Sequence, residues 1–454
     1  MAKKNHSKFG LTRRGALKAG AAAAALPLVH MQTAHAAGAL KLAFWDHWVP
    51  AANPAMKKLV EEWGTKNHVA ITLDLLSSGA ANSKLPLTQA AEALSGTGHD
   101  VMAFNTWDVQ HYHQHLTPID DVVDGLIKQY GPMDTTSEYL AKVGGHWMAL
   151  PTSVGSQYKP SCARVSLFKA QGADVEKWYP AEKSTAEAAA GWTFEALLKL
   201  APSLTKDGHI LGIGLGQTSD SVDWTGAFLH AYGADLVDAK GNITVKSDAM
   251  KEALDFMQRF APHLPADTWA YDDASNNKAL ISGKAALIFN PPSAWWVARR
   301  DAAQVAADCW TFPSPAGPKG RFNPFQPYMW GVWNFSKNQS AAKELLTWLQ
   351  QRSQVETLTT AAAGYDIPPI LSMHDFKIWE TEKPPAGTLY NYPLRPWHDA
   401  STSVAAGPAP PHIASQLYTN ATFNVMVAKL VKNKEKLNDV LAWAEHEING
   451  YINM

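Results

Sequence analysis
Three apolar runs near the start of the chain, separated by segments with helical spacing, limit its fold more than any other feature. Leu40 to Trp45 reads as a short strand. Val69, Ile71, Leu73 and Leu75 alternate as in a second strand, and Val101 to Phe104 gives a third. Between the first two, Asn53-Pro54 offers an N-cap and a proline at the first helical position, and Met56, Leu59, Val60 and Trp63 fall on one face. A second helix is expected from about Ser83 to Leu94. Strand, helix, strand, helix, strand calls for a parallel sheet covered by helices, because parallel neighbours need a crossover connection. Ligands of such sheets bind beyond the strand C-termini. The loops there hold Trp45-Asp46-His47-Trp48, Ser77-Ser78-Gly79 and Asn105-Thr106-Trp107-Asp108.

The 454 residues include 40 Lys+Arg against 41 Asp+Glu, a formal net charge of −1, which excludes the basic footprint of a nucleic-acid binder. Hydrophobic residues at 46% and charged residues at 18% exclude wholesale disorder. Trp is the commonest aromatic, at 18 against 15 Phe and 13 Tyr, a surplus that calls for a large core or an aromatic ligand surface.

Residues 1–36 read as an export signal. They carry Lys3, Lys4, Lys8, Arg13, Arg14 and Lys18 and no acid, then an apolar stretch from Ala19 to Val29, then the small-x-small site Ala34-His35-Ala36. Thr12-Arg13-Arg14-Gly15-Ala16-Leu17-Lys18 resembles the twin-arginine motif; a general secretory signal containing Arg-Arg by chance is the other reading. The apolar stretch is too short to span a bilayer, and no later run approaches that length. A soluble product exported to the periplasm is expected, cleaved after Ala36.

The middle of the chain repeats the strand–helix style. Thr193 and Ser247 are expected helix caps, the second before a face of Met250, Ala253, Leu254 and Met257. Gly212, Gly214 and Gly216 alternate, but no phosphate-loop Lys-Ser/Thr follows, so they read as a turn or strand. Pro- and Gly-rich passages near Leu150 to Pro160, Pro291 to Pro327 and Gly364 to Pro369 fit three crossings between two lobes, with a ligand in the cleft. Cys162 and Cys309 either pair or stay as separate buried thiols.

Several motifs resemble, in order, those of extracellular solute-binding protein family 1, the maltose-binding-like and glycerol-phosphate-binding-like receptors of ABC importers. They are Leu150-Pro151 with Arg164 to Gly172, Trp192-Thr193-Phe194-Glu195-Ala196-Leu197, Tyr232 to Leu236 with Asp238, Gly241 and Asn242, Ser282-Gly283-Lys284-Ala285-Ala286-Leu287, and Phe312-Pro313 with Gly317-Pro318 and Gly320, then Ser336-Lys337-Asn338. Arg164-Val165 and Phe289-Asn290-Pro291-Pro292 depart from the common pattern. The resemblance implies an α/β, type II-like periplasmic-binding-protein fold, with lobe one at 37–152 and 322–366, lobe two at 153–321 and 367–454, and three hinge crossings. It also places Cys162 and Cys309 on neighbouring strands, where a disulfide is open. No cofactor is implied.

The resemblance implies a non-enzymatic, monomeric receptor that closes on a small solute and hands it to an inner-membrane ABC permease. A carbohydrate or polyol is the first expectation, since sugars need aromatic platforms beside convergent polar groups. A phosphorylated polyol or other non-sugar solute is the alternative, with an exported carbohydrate-active enzyme behind it. Candidate platforms are Trp45, Trp107, Trp295, Trp296, Tyr328, Trp330 and Tyr365, with Gly331 allowing close backbone approach. Polar candidates are Asp46, Ser78, Asn105, Asp108, Asn290 and Arg395, the last as a possible anion clamp. His111, His113 and His115 have poor metal spacing, and Asp120-Asp121 and Asp272-Asp273 read as solvated surface because sequence neighbours diverge.

Overall fold
The computed structural model describes residues 38–78, 83–180, 183–382 and 392–453. The expected export signal and its cleavage site lie outside the described residues, as does Gly79. The three N-terminal strands form as Ala39–Trp45, Ala70–Leu76 and Val101–Asn105, the first lying in the middle and parallel to both neighbours. The crossover helix Ala52–Asn67 buries Met56, Leu59, Val60 and Trp63 and stops at His68, whose φ of 57° is left-handed. Asn53 does not cap it. Its Oδ1 accepts the His47 N–H at 3.0 Å and its Nδ2 donates to Asp46 at 2.7 Å, so it ties down the loop after the first strand. The helix Lys84–Ser95 makes the second crossover.

The long strand Gly320–Val332 adds antiparallel to Val101–Asn105, and Leu150–Tyr158 pairs with it in turn. Short strands Ala316–Gly317 and Ser401–Ser403 complete a seven-stranded sheet. A four-stranded sheet runs in the order Cys309–Phe312, Ser161–Arg164, Ala285–Phe289, Ile210–Leu211. The chain passes from the larger sheet to the smaller at Lys159-Pro160: the Lys159 N–H donates to Pro324 O at 2.9 Å, and Pro160 O accepts the Asn290 N–H at 3.0 Å. It returns between Phe312 and Ala316.

The expected caps form, Thr193 Oγ1 accepting the Ala196 N–H at 3.0 Å and Ser247 Oγ the Met250 N–H at 3.2 Å. The glycine run follows the strand Ile210–Leu211 as a close-packed segment: a Cβ at Gly212 would lie 2.9 Å from the Ile288 side chain. Cys162 faces Thr311 across the smaller sheet and Cys309 faces Arg164, which makes the two cysteines diagonal neighbours. Both are buried free thiols, so the bond left open by the sequence is not made. A hydrogen bond with Cys162, then burial, lifts the Cys309 thiol well above its ordinary range. Among the described residues no helix is long and apolar enough to cross a membrane.

Candidate ligand-binding site
A cavity of ≈ 390 Å³ is lined by residues of the larger sheet and its loops on one side and by segments flanking the strands of the smaller sheet on the other. The larger sheet supplies Trp45, Ser78, Asn105 and Asp108, all at the C-terminal ends of the three parallel strands or in the loops beyond them. Trp45 Nε1 donates to Ser78 Oγ at 2.6 Å, and Ser78 Oγ lies 3.2 Å from the Tyr328 hydroxyl. The rings of Trp45 and Tyr328 sit 5.1 Å apart and tilted. Gly155 makes that pair fit: its φ is +91°, and a Cβ there would meet Tyr328 at 2.8 Å and Trp45 at 3.0 Å. Tyr365 lines the same wall, its hydroxyl donating to Gln157 Oε1, while Gln157 Nε2 donates to Gln326 Oε1 at 2.8 Å. Half-buried Trp48 adds another ring.

The second wall is polar. Gln217 to Asp220 follow the strand Ile210–Leu211 and open the helix Ser219–Tyr232, with Thr218 as its cap. Asn290 follows the strand Ala285–Phe289; its Nδ2 donates to Asn277 Oδ1 and to Ser293 Oγ. Asp273 accepts the Asp220 N–H at 3.0 Å and the Ser219 hydroxyl at 2.8 Å, placing a carboxylate of the protein on that helix N-terminus. Behind them the buried Lys159 ammonium contacts Asp220 at 2.7 Å and Asp223 at 2.6 Å. Burial alone would lower the Lys159 pKa, but Asp220, Asp223 and Asp273 outweigh it and hold the amine ionised. Burial, then the charge of Asp220, lifts the Asp273 carboxyl to about 7. Burial lifts Asp108 to about 6, although its Oδ2 accepts from the Asn105 N–H at 2.9 Å and from Gln89 at 3.2 Å.

Of the residues singled out in the sequence, Trp45, Ser78, Asn105, Asp108, Asn290, Tyr328 and Tyr365 converge on this cavity. The others stand elsewhere. Trp330 is 1% exposed and stacks on Phe44 with centroids 4.7 Å apart, and Gly331 is held by packing, since a Cβ would meet Phe104 at 2.7 Å. Trp107 is buried with Nε1 donating to Ala405 O at 3.0 Å. Trp295 and Trp296 lie in the helix Ser293–Asp301 with the Arg299 guanidinium 5.0 and 4.4 Å above their rings. Asp46 is an exposed partner of Asn53, and Arg395 sits with its guanidinium 5.9 Å from the Trp379 ring. Asp272 and Asp273, expected on the solvated surface, are half-buried in the cavity wall. Gln217, Asp220, Asn277 and Gln326 were not anticipated. Gln217 and Asp220 lie beyond the strand Ile210–Leu211, where the strand-end rule that located Trp45 and Asn105 would place them once that strand is known from the structure.

A family model described as bacterial extracellular solute-binding protein matches residues 49–356. No curated protein matches the chain. Among solved structures, maltose-bound MalE3 of T. maritima superposes with a TM-score of 0.71 at 16% identity, over 90% of this chain and 99% of that one. The GacH receptor of Streptomyces glaucescens, solved unliganded and with acarbose, gives 0.67 at 18% identity, over 92% and 99%. A sugar transporter from Arthrobacter chlorophenolicus with bound laminaribiose gives 0.68 at 16%, over 91% and 99%. At these identities the likeness establishes a shared two-lobed α/β fold.

Proposed function
The chain belongs to the bacterial extracellular solute-binding proteins, binding proteins rather than enzymes, and on that premise we propose that it is the exported receptor of an ABC importer for a saccharide or related polyol. One observation carries the reading: the cavity sets an aromatic wall of Trp45, Trp48, Tyr328 and Tyr365 beside a wall of amides and carboxylates. Aromatic faces cover the C–H face of a pyranose, and fixed acceptors and amides select its hydroxyls. A phosphorylated solute is disfavoured. Among the described residues no Lys, Arg or His lines the cavity, and the N-terminus of the helix Ser219–Tyr232 is already taken by Asp273.

In this reading the chain forms two lobes, divided at 152/153, 321/322 and 366/367, which close over the solute. The receptor works as a monomer, reaches the periplasm on the signal of residues 1–36 and passes its cargo to an inner-membrane permease. A thermal-shift panel of mono- and oligosaccharides, polyols and sugar phosphates tests it. A saccharide at 100 times its Kd should add about 2.7 kcal/mol of stability. A response confined to sugar phosphates would reverse the proposal. Arg13-Arg14 changed to Lys-Lys should stop export if the twin-arginine route is used; undiminished periplasmic yield would assign the general secretory route.

A further inference from the structure
Resting on the saccharide reading, we propose that the solute carries a protonated amino group, and that the Asp220–Asp272–Asp273 side of the cavity receives it. The case begins with a charge imbalance. Asp220, Asp223 and Asp273 surround one ammonium, that of Lys159, whose side chain is 1% exposed and spent on Asp220 and Asp223. Asp272 stands beside them with Oδ1 used by its own turn, accepting from Ser275 and the Ala274 N–H. Asp108 faces the same cavity, and among the described residues no cationic side chain lines it.

Closing such a cavity over a neutral sugar would desolvate surplus carboxylate charge, which is costly unless a proton or a cation neutralises it. Burial and the charge of Asp220 already favour the protonated form of Asp273, whose carboxyl is lifted to about 7. An ammonium on the solute would take over that task. The cavity also holds groups waiting for a hydroxylated ligand. Asn290 is 2% exposed and Gln326 3% exposed; Asn290 Oδ1 and Gln326 Nε2 have no hydrogen-bond partner among the described residues, although Asn290 Nδ2 and Gln326 Oε1 are engaged. The solute that satisfies both features is an amino sugar, alone or within a short oligosaccharide.

The test is calorimetric binding of matched saccharides differing at one carbon only: free amine, N-acetyl and hydroxyl forms of the gluco, galacto and manno series, as monomers and β-1,4 dimers. A free-amine member binding at least about tenfold tighter than both neutral counterparts, with the advantage shrinking as salt rises, is expected. Asp273→Asn should remove most of that advantage, and Asp272→Asn, which disturbs only a local turn, should reduce it if the first variant folds poorly. Neutral forms binding as well as the amine would overturn this inference and leave the saccharide reading intact. Failure of every saccharide to bind would overturn both.

Discussion
His47 Nε2 lies 2.9 Å from Asp366 Oδ1, a buried contact between residues 319 positions apart. The His47 Nδ1 accepts the Val49 N–H at 2.8 Å, so Nε2 carries the hydrogen and donates it to Asp366. The same Asp366 oxygen accepts the Gly155 N–H at 3.0 Å. One carboxylate oxygen therefore ties the loop after the first strand to the strand Leu150–Tyr158, directly behind the rings of Trp45 and Tyr365, which lie 4.7 and 5.0 Å from the His47 ring.

Asp366→Ala strands two buried donors and should cost about 2–4 kcal/mol of stability in urea unfolding. Asp366→Asn keeps an acceptor at the Oδ1 position and should cost much less. Equal losses for the two variants would show that the shared oxygen is not what matters.

Trp330 and Trp48 should separate packing from ligand contact. Trp330→Ala opens a hole against Phe44 in the sheet core and should cost about 3–5 kcal/mol of stability. Trp48→Ala removes a half-buried ring from the cavity wall and should weaken saccharide binding by about 2 kcal/mol with a near-normal ligand-free melt. Calorimetry beside thermal melting reads both, and a Trp48→Ala protein with full affinity would remove Trp48 from the site.

The larger sheet and its ligand edge are legible because period-2 strands announce their own ends, and parallel sheets bind at those ends. That is why Trp45, Ser78, Asn105 and Asp108 can be read from the chain. Trp330 misleads for a geometric reason: it shares a face with Tyr328, but Tyr328 pairs with Asn105 at the ligand edge while Trp330 pairs with Ala103 one step deeper. The strand Ile210–Leu211 is too short to show a period, so Gln217 and Asp220 beyond it carry no signal. Asp272 and Asp273 are misread because adjacent carboxylates usually face water; here a helix N-terminus and Lys159 draw Asp273 inward.

Cys162 and Cys309 should resist alkylation in the folded protein, being buried, with the Cys309 thiol held protonated. Denaturation without reductant should expose two reactive thiols. Recovery of none, with two appearing only after reduction, would establish a disulfide across the diagonal instead.

The pH dependence of stability should run in the direction set by Asp108 and Asp273, whose carboxyls are lifted from 3.8 to about 6 and about 7. The folded protein holds each of these protons more tightly than the unfolded chain does. Their stabilising effect is therefore complete below about pH 4 and is lost as the pH rises through 6 to 7. As far as these two groups decide it, the ligand-free protein should be more stable at about pH 5 than at pH 8. Asp108→Asn retains an acceptor for the Asn105 N–H and removes one titration, so it should flatten the slope between those values by on the order of 1 kcal/mol. Asp273→Asn should flatten it as well. Urea unfolding at three pH values without ligand measures this, and a slope unchanged in both variants would mean that neither carboxyl holds its proton into the neutral range.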